Sequence, residues 1–148
     1  MILLDTNVCV GFLHKDSAII QRLNTALVED EVAIPGMVEG ELYYGVEKST
    51  RRDENLTLTE SFISKMGVVH ADDAVMKKFG DLKATLEKSG NRVDDADIII
   101  AATAICNGAT LATGNVKHFA RFEGLKLENW FEWCEEKCGV LGLEIDMR

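Results

Sequence analysis

Short apolar runs alternate with longer helix-like stretches along this 148-residue chain, and this alternation limits the folds open to it. Runs of this length suit strands that are buried on both faces. Strands joined through helices produce right-handed crossovers and a parallel sheet covered on both faces, so we predict an α/β fold. The expected strands are Ile2–Leu4, Val32–Ile34, Gly67–His70, Thr110–Ala112 and Leu125–Leu127. The expected helices are Val8–Leu13, Ser17–Val28, Met37–Glu47, Asn55–Met66, Ala74–Lys88, Asp97–Asn107 and Trp130–Lys137.

The length suits a single domain with a sizeable core, and no Pro/Gly/Ser-rich linker interrupts it. No apolar run is long enough to span a membrane, and the N-terminus lacks the basic flank of a signal peptide. We therefore expect a cytoplasmic protein. Cys9 and Cys106 lie among apolar residues and are expected to be buried thiols, whereas Cys134 and Cys138 lack the second Cys/His pair of a zinc site.

Acidic residues occur where predicted strands and helices meet. Asp5 directly follows the first apolar run, and open parallel sheets bind ligands beyond the carboxyl ends of their strands. Glu41 lies on the helix that begins near Met37. Its neighbour Glu39 is two residues away, so only one of the two side chains can face a common centre.

Asp94 and Asp97 precede a run of apolar and small residues that predicts a buried helix. Two interpretations remain open for this pair. Asp94 can be the N-cap with Asp97 in the first turn of the helix. Alternatively, the two carboxylates share one face and are brought together by a hard divalent cation, which relieves their repulsion.

Four motifs follow one another in a recognisable order. They are Asp5-Thr6-Asn7, Glu41-Leu-Tyr-Tyr-Gly45, Asp94-x-x-Asp97-Ile-Ile-Ile-Ala-Ala and Thr113-Gly-Asn115-Val-Lys-His-Phe119. In this order the chain resembles PIN-domain ribonucleases and, more narrowly, the VapC toxins of toxin–antitoxin pairs. The resemblance runs from Met1 to about Trp130. It implies a single PIN domain over residues 1–148, with 1–130 matching the family, and a five-stranded sheet of order 3-2-1-4-5.

The resemblance also implies the chemistry. It assigns Mg²⁺ or Mn²⁺ binding to Asp5 and Asp97 first, and then to Glu41 and Asp94. An oxygen-only ligand set favours these ions over zinc. Asn115 matches a position that is often acidic in the wider family and joins the catalytic set, while the supporting residues are Thr6 and Thr113. The expected reaction is endonucleolytic hydrolysis of RNA by water, leaving a 3′-hydroxyl and a 5′-phosphate.

The implied partners are RNA, a VapB-like antitoxin and a second copy of the chain, giving a homodimer and a toxin–antitoxin hetero-oligomer. A net charge of −9 argues against a broad electrostatic grip on RNA. The 16 Lys and Arg residues gather partly in Lys48–Arg52 and Lys83–Arg92, and a solvated helix face or loop is the favoured interpretation of both clusters. A basic partner segment would suit the acidic surface.

Several polar residues have two open interpretations. Asn7 caps the first helix or touches substrate, and His118 with Lys117 contacts RNA phosphate or forms an ordinary charged loop. Asp95 is expected to be solvated, and Asp72-Asp73 to cap the long helix that follows.

Two further function classes fit part of the pattern. A non-catalytic PIN domain would bind RNA or protein without turnover, although the intact acid set argues against it. A receiver-like phosphate-signalling domain needs an acidic neighbour beside Asp5 and an acceptor Asp at the end of the third strand, and the chain has neither.

The segment 131–148 extends beyond the family match. It combines an apolar helical face through Phe131, Cys134 and Cys138 with a strand-like alternation from Val140 to Ile145. Packing over the edge of the core is one interpretation. A dimer or partner contact is the other.

Overall fold

The first strand, β1 (Ile2–Leu4), lies at the centre of a five-stranded parallel sheet in the computed structural model, which describes residues 1–131. The other strands are β2 (Val32–Pro35), β3 (Val68–Val69), β4 (Thr110–Thr113) and β5 (Lys126–Asn129). Their order is β3-β2-β1-β4-β5, with Leu3 paired to Ala33 on one side and to Leu111 on the other. The predicted α/β class and the strand order implied by the resemblance are both confirmed.

Seven helices connect and cover these strands within the described range. They are α1 (Thr6–Leu13), α2 (Ser17–Glu29), α3 (Gly36–Glu47), α4 (Arg52–Met66), α5 (Asp73–Lys88), α6 (Asp95–Cys106) and α7 (Val116–Phe119). The first six agree with prediction to within three residues at each end. The short α7 was not predicted, and Trp130, where a further helix was expected, is not helical. Phe131 is not helical either. Residues 132–137 of that expected helix, the alternation of residues 140–145 and the Cys134/Cys138 pair lie outside the described residues.

The core forms where α6 crosses the sheet. Leu3, Leu4 and Leu111 from the central strands are fully buried, as is Ile100 of α6. Ala101, Ala102 and Ala104 of α6 are buried too, and their small side chains allow the helix to approach the sheet closely. This packing fixes the start of α6 near the carboxyl ends of the central strands.

Two predictions about single residues can be compared with the fold. Asp72 caps α5 as expected, since its Oδ1 accepts a hydrogen bond from the Val75 N–H at 3.0 Å. Cys9 is buried, but Cys106 is exposed at the end of α6, so the prediction of a second buried thiol is wrong. No helix in residues 1–131 is long and apolar enough to cross a membrane.

Candidate active site

Asp5 lies where the central strand ends and α1 begins. It has extended backbone (φ −74°, ψ 162°) and is the N-cap of α1, with its Oδ1 accepting a hydrogen bond from the Thr6 N–H at 2.8 Å. Its side chain is only 6% exposed. Asn7 was one candidate for this cap, and that interpretation is wrong. Its Oδ1 instead accepts a hydrogen bond from the Gly114 N–H at 3.2 Å, which ties α1 to the turn after β4.

Thr113 holds the second oxygen of this carboxylate. Its fully buried hydroxyl donates to Asp5 Oδ2 at 2.7 Å and accepts from the Asn115 N–H at 3.0 Å. A hydroxyl that donates on one side and accepts on the other has a fixed orientation. Asn115 therefore joins the site through its backbone N–H. The residue is exposed and is the N-cap of α7, but its side chain makes no capping hydrogen bond.

Glu41 reaches the same region from the middle of α3. The Thr6 hydroxyl donates to its Oε2 at 3.1 Å, so Thr6 contacts two different carboxylates, Asp5 through its N–H and Glu41 through its hydroxyl. The other oxygen, Oε1, is buried and has no hydrogen-bond partner among residues 1–131. An unsatisfied buried carboxylate oxygen is costly, and such atoms commonly face an ion, a water or a ligand in functional sites.

Asp97 lies in the first turn of α6, half-buried, and its partner is His118 of α7. His118 Nε2 is 2.9 Å from Asp97 Oδ2, and because an ionised carboxylate can only accept, the ring nitrogen is the donor. His118 is thus a side-chain partner of a site carboxylate. Neither alternative raised from sequence placed it there, because the contact depends on α7, a four-residue helix too short to show periodicity.

The three carboxylates affect one another electrostatically. Burial is the main cause that raises the pKa of Asp5, and the charge of Asp97 adds to it, while hydrogen bonds from Thr113 and Thr6 and the nearby His118 lower it. Burial likewise raises the pKa of Glu41, and the charges of Asp5 and Asp97 raise it further, against the lowering effect of the Thr6 hydrogen bond. The site therefore concentrates negative charge where water is scarce.

Asp94 has a different environment. It is the N-cap of α6 with extended backbone (φ −60°, ψ 140°), as the capping interpretation predicted, although its side chain makes no capping hydrogen bond. It is exposed, lines a surface groove with Lys83 and Arg92, and is not among the charges that raise the pKa of Asp5 or Glu41. The structure therefore brings together five of the seven predicted side chains: Asp5, Thr6, Glu41, Asp97 and Thr113.

The chemistry of the donors fits a hard divalent cation. The site offers carboxylate oxygens, one of them without a partner, and its charges repel in the absence of a cation. Among residues 1–131, however, no three His, Cys, Asp or Glu side chains stand ready as a ligand set. Thr113 and His118 each engage one carboxylate oxygen as the side chains lie here, so ligation requires local rearrangement of these side chains.

Comparison with known proteins gives one consistent result. A family model described as PIN domain matches residues 2–125. The chain is 34% identical to Ribonuclease VapC2 of Rickettsia felis, with 86% of this chain and 96% of that protein covered. It is 33% identical to the tRNA(fMet)-specific endonuclease VapC of Shigella flexneri over the same shares.

A solved structure agrees with this result in three dimensions. The crystal structure of VapBC2 from Rickettsia felis bound to a DNA fragment from their promoter contains a chain that superimposes with a TM-score of 0.82 at 35% identity. The match covers 88% of this chain and 99% of that one. Its fold, its arrangement of acids and these similarities show that the chain belongs to the PIN-domain family and, within it, to the VapC ribonucleases.

Proposed function

We propose that this chain is a Mg²⁺- or Mn²⁺-dependent endoribonuclease, acting in the cytoplasm as the toxin of a type II toxin–antitoxin pair. The observation that carries the proposal is the group of three carboxylates, Asp5, Glu41 and Asp97, whose charges influence one another at the carboxyl edge of the sheet. Relatives that share about a third of the residues over 86% of the chain are named ribonucleases.

These three carboxylates would hold the metal ion. Asp94 is left out of the proposed set because its side chain is exposed and makes no described contact with the others. A bound Mg²⁺ or Mn²⁺ would lower the pKa of a coordinated water and neutralise charge on the phosphate.

The surrounding side chains fix the acids in place. Thr113 and the Thr6 N–H bind the two oxygens of Asp5, and the Thr6 hydroxyl orients Glu41. His118 orients Asp97 from α7. Glu41 Oε1 has no partner of its own, so it can accept a hydrogen bond from the water that attacks the phosphate. The fold already brings these acids together, so side chains but not backbone would have to move for a metal ion and a nucleophilic water to bind.

Chelation tests the metal requirement. Protein purified free of any antitoxin should cleave RNA with Mg²⁺ or Mn²⁺ present, lose cleavage in EDTA and regain it when either ion is restored. Initiator tRNA belongs among the first substrates, since one relative is named a tRNA(fMet)-specific endonuclease. Cleavage that continues undiminished in EDTA would refute the metal mechanism.

Glu41 and Glu39 form a matched pair for testing the site. Both lie on α3, but no described contact joins Glu39 to the other acids. Glu41→Gln should reduce cleavage by at least about 100-fold, the usual effect of removing a group that handles a proton. Glu39→Gln should stay within about 2-fold of wild type, since surface changes remote from such a site have small effects. Equal losses in the two variants would contradict the assignment of Glu41.

We propose further that a VapB-like antitoxin inhibits this site with an arginine. A buried carboxylate oxygen without a partner, beside two more carboxylates, suits a guanidinium that can bridge two acids. The net charge of −9 would also accelerate encounter with a basic segment.

The arginine can be tested directly in the complex. Replacing the cleft-facing arginine of the antitoxin with alanine should release ribonuclease activity, while the two proteins still co-purify through their apolar contacts. Full inhibition by the alanine variant would show that steric cover of the RNA path is sufficient. The homodimer implied by the resemblance remains a prediction.

A further inference from the structure

The side chain of Phe131 lies across two glycines at the carboxyl edge of the sheet. A Cβ placed on Gly114 would come within 2.5 Å of Phe131 Cδ2, and one placed on Gly11 would be 3.6 Å from Phe131 Cζ. The Phe131 N–H donates to Asn129 Oδ1 at 2.9 Å, which anchors the backbone as it leaves β5. The ring therefore extends from the end of β5 over the turn after β4 and towards α1.

This position is directly beside the carboxylate site. Gly114 follows Thr113, whose hydroxyl binds Asp5, and the Gly114 N–H binds Asn7 at the start of α1. The ring thus rests on the backbone that borders Asp5. Ligands of open parallel sheets bind beyond this edge, so a bound RNA strand would pass the ring.

Much of the ring remains accessible. Phe131 is 46% exposed, whereas the preceding Trp130 is 2% exposed and belongs to the core. Two successive aromatic residues therefore have opposite environments, one inside the domain and one at the edge of the site. The two glycines support one part of the ring and leave the rest open to a planar partner.

The negative charge of the protein favours a contact with RNA that does not depend on the phosphates. With a net charge of −9, neutralising phosphates cannot supply much of the affinity for RNA. Single-stranded RNA is commonly held instead by bases that stack on aromatic side chains, at about 1–3 kcal/mol per base. A half-exposed phenyl ring beside the carboxylates provides this kind of contact.

We propose that Phe131 is a stacking platform for one nucleobase of single-stranded RNA, beside the phosphodiester that the carboxylates hydrolyse. The proposal rests on the proposed ribonuclease function. It assigns Phe131 to substrate binding, with no part in bond cleavage.

Binding measured without turnover tests the platform. In EDTA, fluorescence anisotropy with a short labelled single-stranded RNA should show a Kd raised roughly 5- to 150-fold by Phe131→Leu, as expected for one lost stack. Phe131→Tyr should bind like wild type because it keeps the aromatic face. Met76→Ala is the matched control, since Met76 is equally exposed at 46% on α5. All four proteins should melt within a few degrees of one another.

Abasic substrates distinguish stacking from a packing role. In wild type, removing the base at one position of the RNA should weaken binding by the same factor as Phe131→Leu. In the leucine variant, removal of that base should have no further effect, because the stack is already lost. A packing role would leave the abasic penalty unchanged in the variant.

The outcomes separate this proposal from the proposed function. Wild-type RNA affinity in Phe131→Leu, or an unchanged abasic penalty, overturns the platform even if the enzyme cleaves RNA normally. A Phe131-dependent stack in a protein that never cleaves RNA supports the platform and refutes the ribonuclease. A leucine variant that binds RNA normally but loses its antitoxin would place the ring in a protein interface, and this too overturns the proposal.

Discussion

At the scale of single residues, the site is defined by which carboxylates share a local environment. Asp97 and Asp95 are two residues apart in the first turn of α6 and have different partners. Asp97 binds His118 and raises the pKa of Asp5 and Glu41, whereas Asp95 forms a 2.9 Å ion pair with Lys83 at the surface. Two acids in one turn of a helix therefore have different partners and different effects on the site.

This contrast gives a paired prediction. Asp97→Asn should reduce RNA cleavage by at least about 100-fold, because it removes a charge from the site while keeping the helix. Asp95→Asn loses only an exposed ion pair, which contributes little, and should keep cleavage within about 2-fold. Initial rates on one RNA, with circular dichroism to confirm folding, measure both. Comparable losses from the two folded variants would refute the ranking.

The raised pKa of Asp5 predicts how stability depends on pH. A carboxyl whose pKa is raised by folding favours the folded state below its ordinary value of 3.8, and this contribution is lost as pH rises through the raised value. At pH 7 without divalent ions, the ionised Asp5 therefore destabilises the fold. Asp5→Asn keeps a capping side chain and removes the charge. It should raise Tm at pH 7 by about 2–4 °C per kcal/mol of repulsion removed.

The same variant should gain less near pH 4 than at pH 7, because a pKa raised above 3.8 leaves Asp5 protonated in more of the folded molecules there. Thermal denaturation in EDTA at the two pH values measures the difference. A lower Tm for Asp5→Asn at pH 7 would mean that the hydrogen bonds from Thr113 and Thr6 outweigh the cost of burial.

Sequence predicted the acids better than their partners. Asp5 and Glu41 could be found because they follow or lie on recognisable elements. The hydrogen bonds of Thr113 to Asp5 and of Thr6 to Glu41 join residues 108 and 35 positions apart, and no local pattern encodes such pairs. For the same reason, neither interpretation of Asn7, helix cap or substrate contact, included its actual partner, the N–H of Gly114.

At the scale of elements, the turn from Thr113 to Asn115 connects β4 to α7 and supports both sides of the site. A Cβ at position 114 would clash with the ring of Phe131, so the observed position of the ring requires a glycine there. The motif from Thr113 to Asn115 is visible in the sequence, but the close approach is not, because the ring comes from beyond β5.

Gly114→Ala tests that close approach. The added methyl would overlap the Phe131 ring at 2.5 Å, and because the ring is half-exposed, it should swing outward with a modest loss of stability. We expect the free energy of unfolding to fall by about 1–3 kcal/mol, as for other overpacked sites. RNA binding should show the same defect as in Phe131→Leu. Urea denaturation and anisotropy measure the two effects. Normal RNA binding by Gly114→Ala would argue against a fixed ring position.

Element boundaries were predictable where periodicity was long and uncertain where it was short. α5, with sixteen residues and a capping aspartate, was predicted to within one residue. β3 has two residues instead of the expected four, since only Val68 and Val69 pair with β2. Its limits are set by β2, which a single-sequence pattern cannot reveal.

At the scale of the whole molecule, the end of the described chain is part of the domain. Trp130 is 2% exposed, and Arg22 of α2 donates to the Asn129 carbonyl at 2.8 Å. A chain truncated after Glu128 loses both groups and should lose about 3–5 kcal/mol of stability, as for other deletions of a buried tryptophan. A chain truncated after Phe131 keeps both groups and should be more stable in urea than the chain truncated after Glu128.

The second truncation also decides between the two interpretations of the C-terminal extension. If the extension forms a dimer contact, the chain ending at Phe131 should be a stable monomer by light scattering while the full chain is a dimer. If it packs over the core, the shorter chain should keep the oligomeric state of the full chain and lose stability. An unchanged oligomeric state together with unchanged stability would contradict both interpretations.

The pairing of Asp5 with Thr113 has a consequence for synthesis. The first strand made is the centre of the sheet, but one of its neighbours, β4, and the hydroxyl that holds Asp5 come 108 residues later. At about 5–20 residues per second, roughly 5–20 s separate the two on the ribosome. A nascent chain that stops before β4 contains Asp5 but lacks both the neighbouring strand and the Thr113 hydroxyl that binds this carboxylate. An enzyme directed at RNA therefore cannot assemble its site until most of its own message has been read.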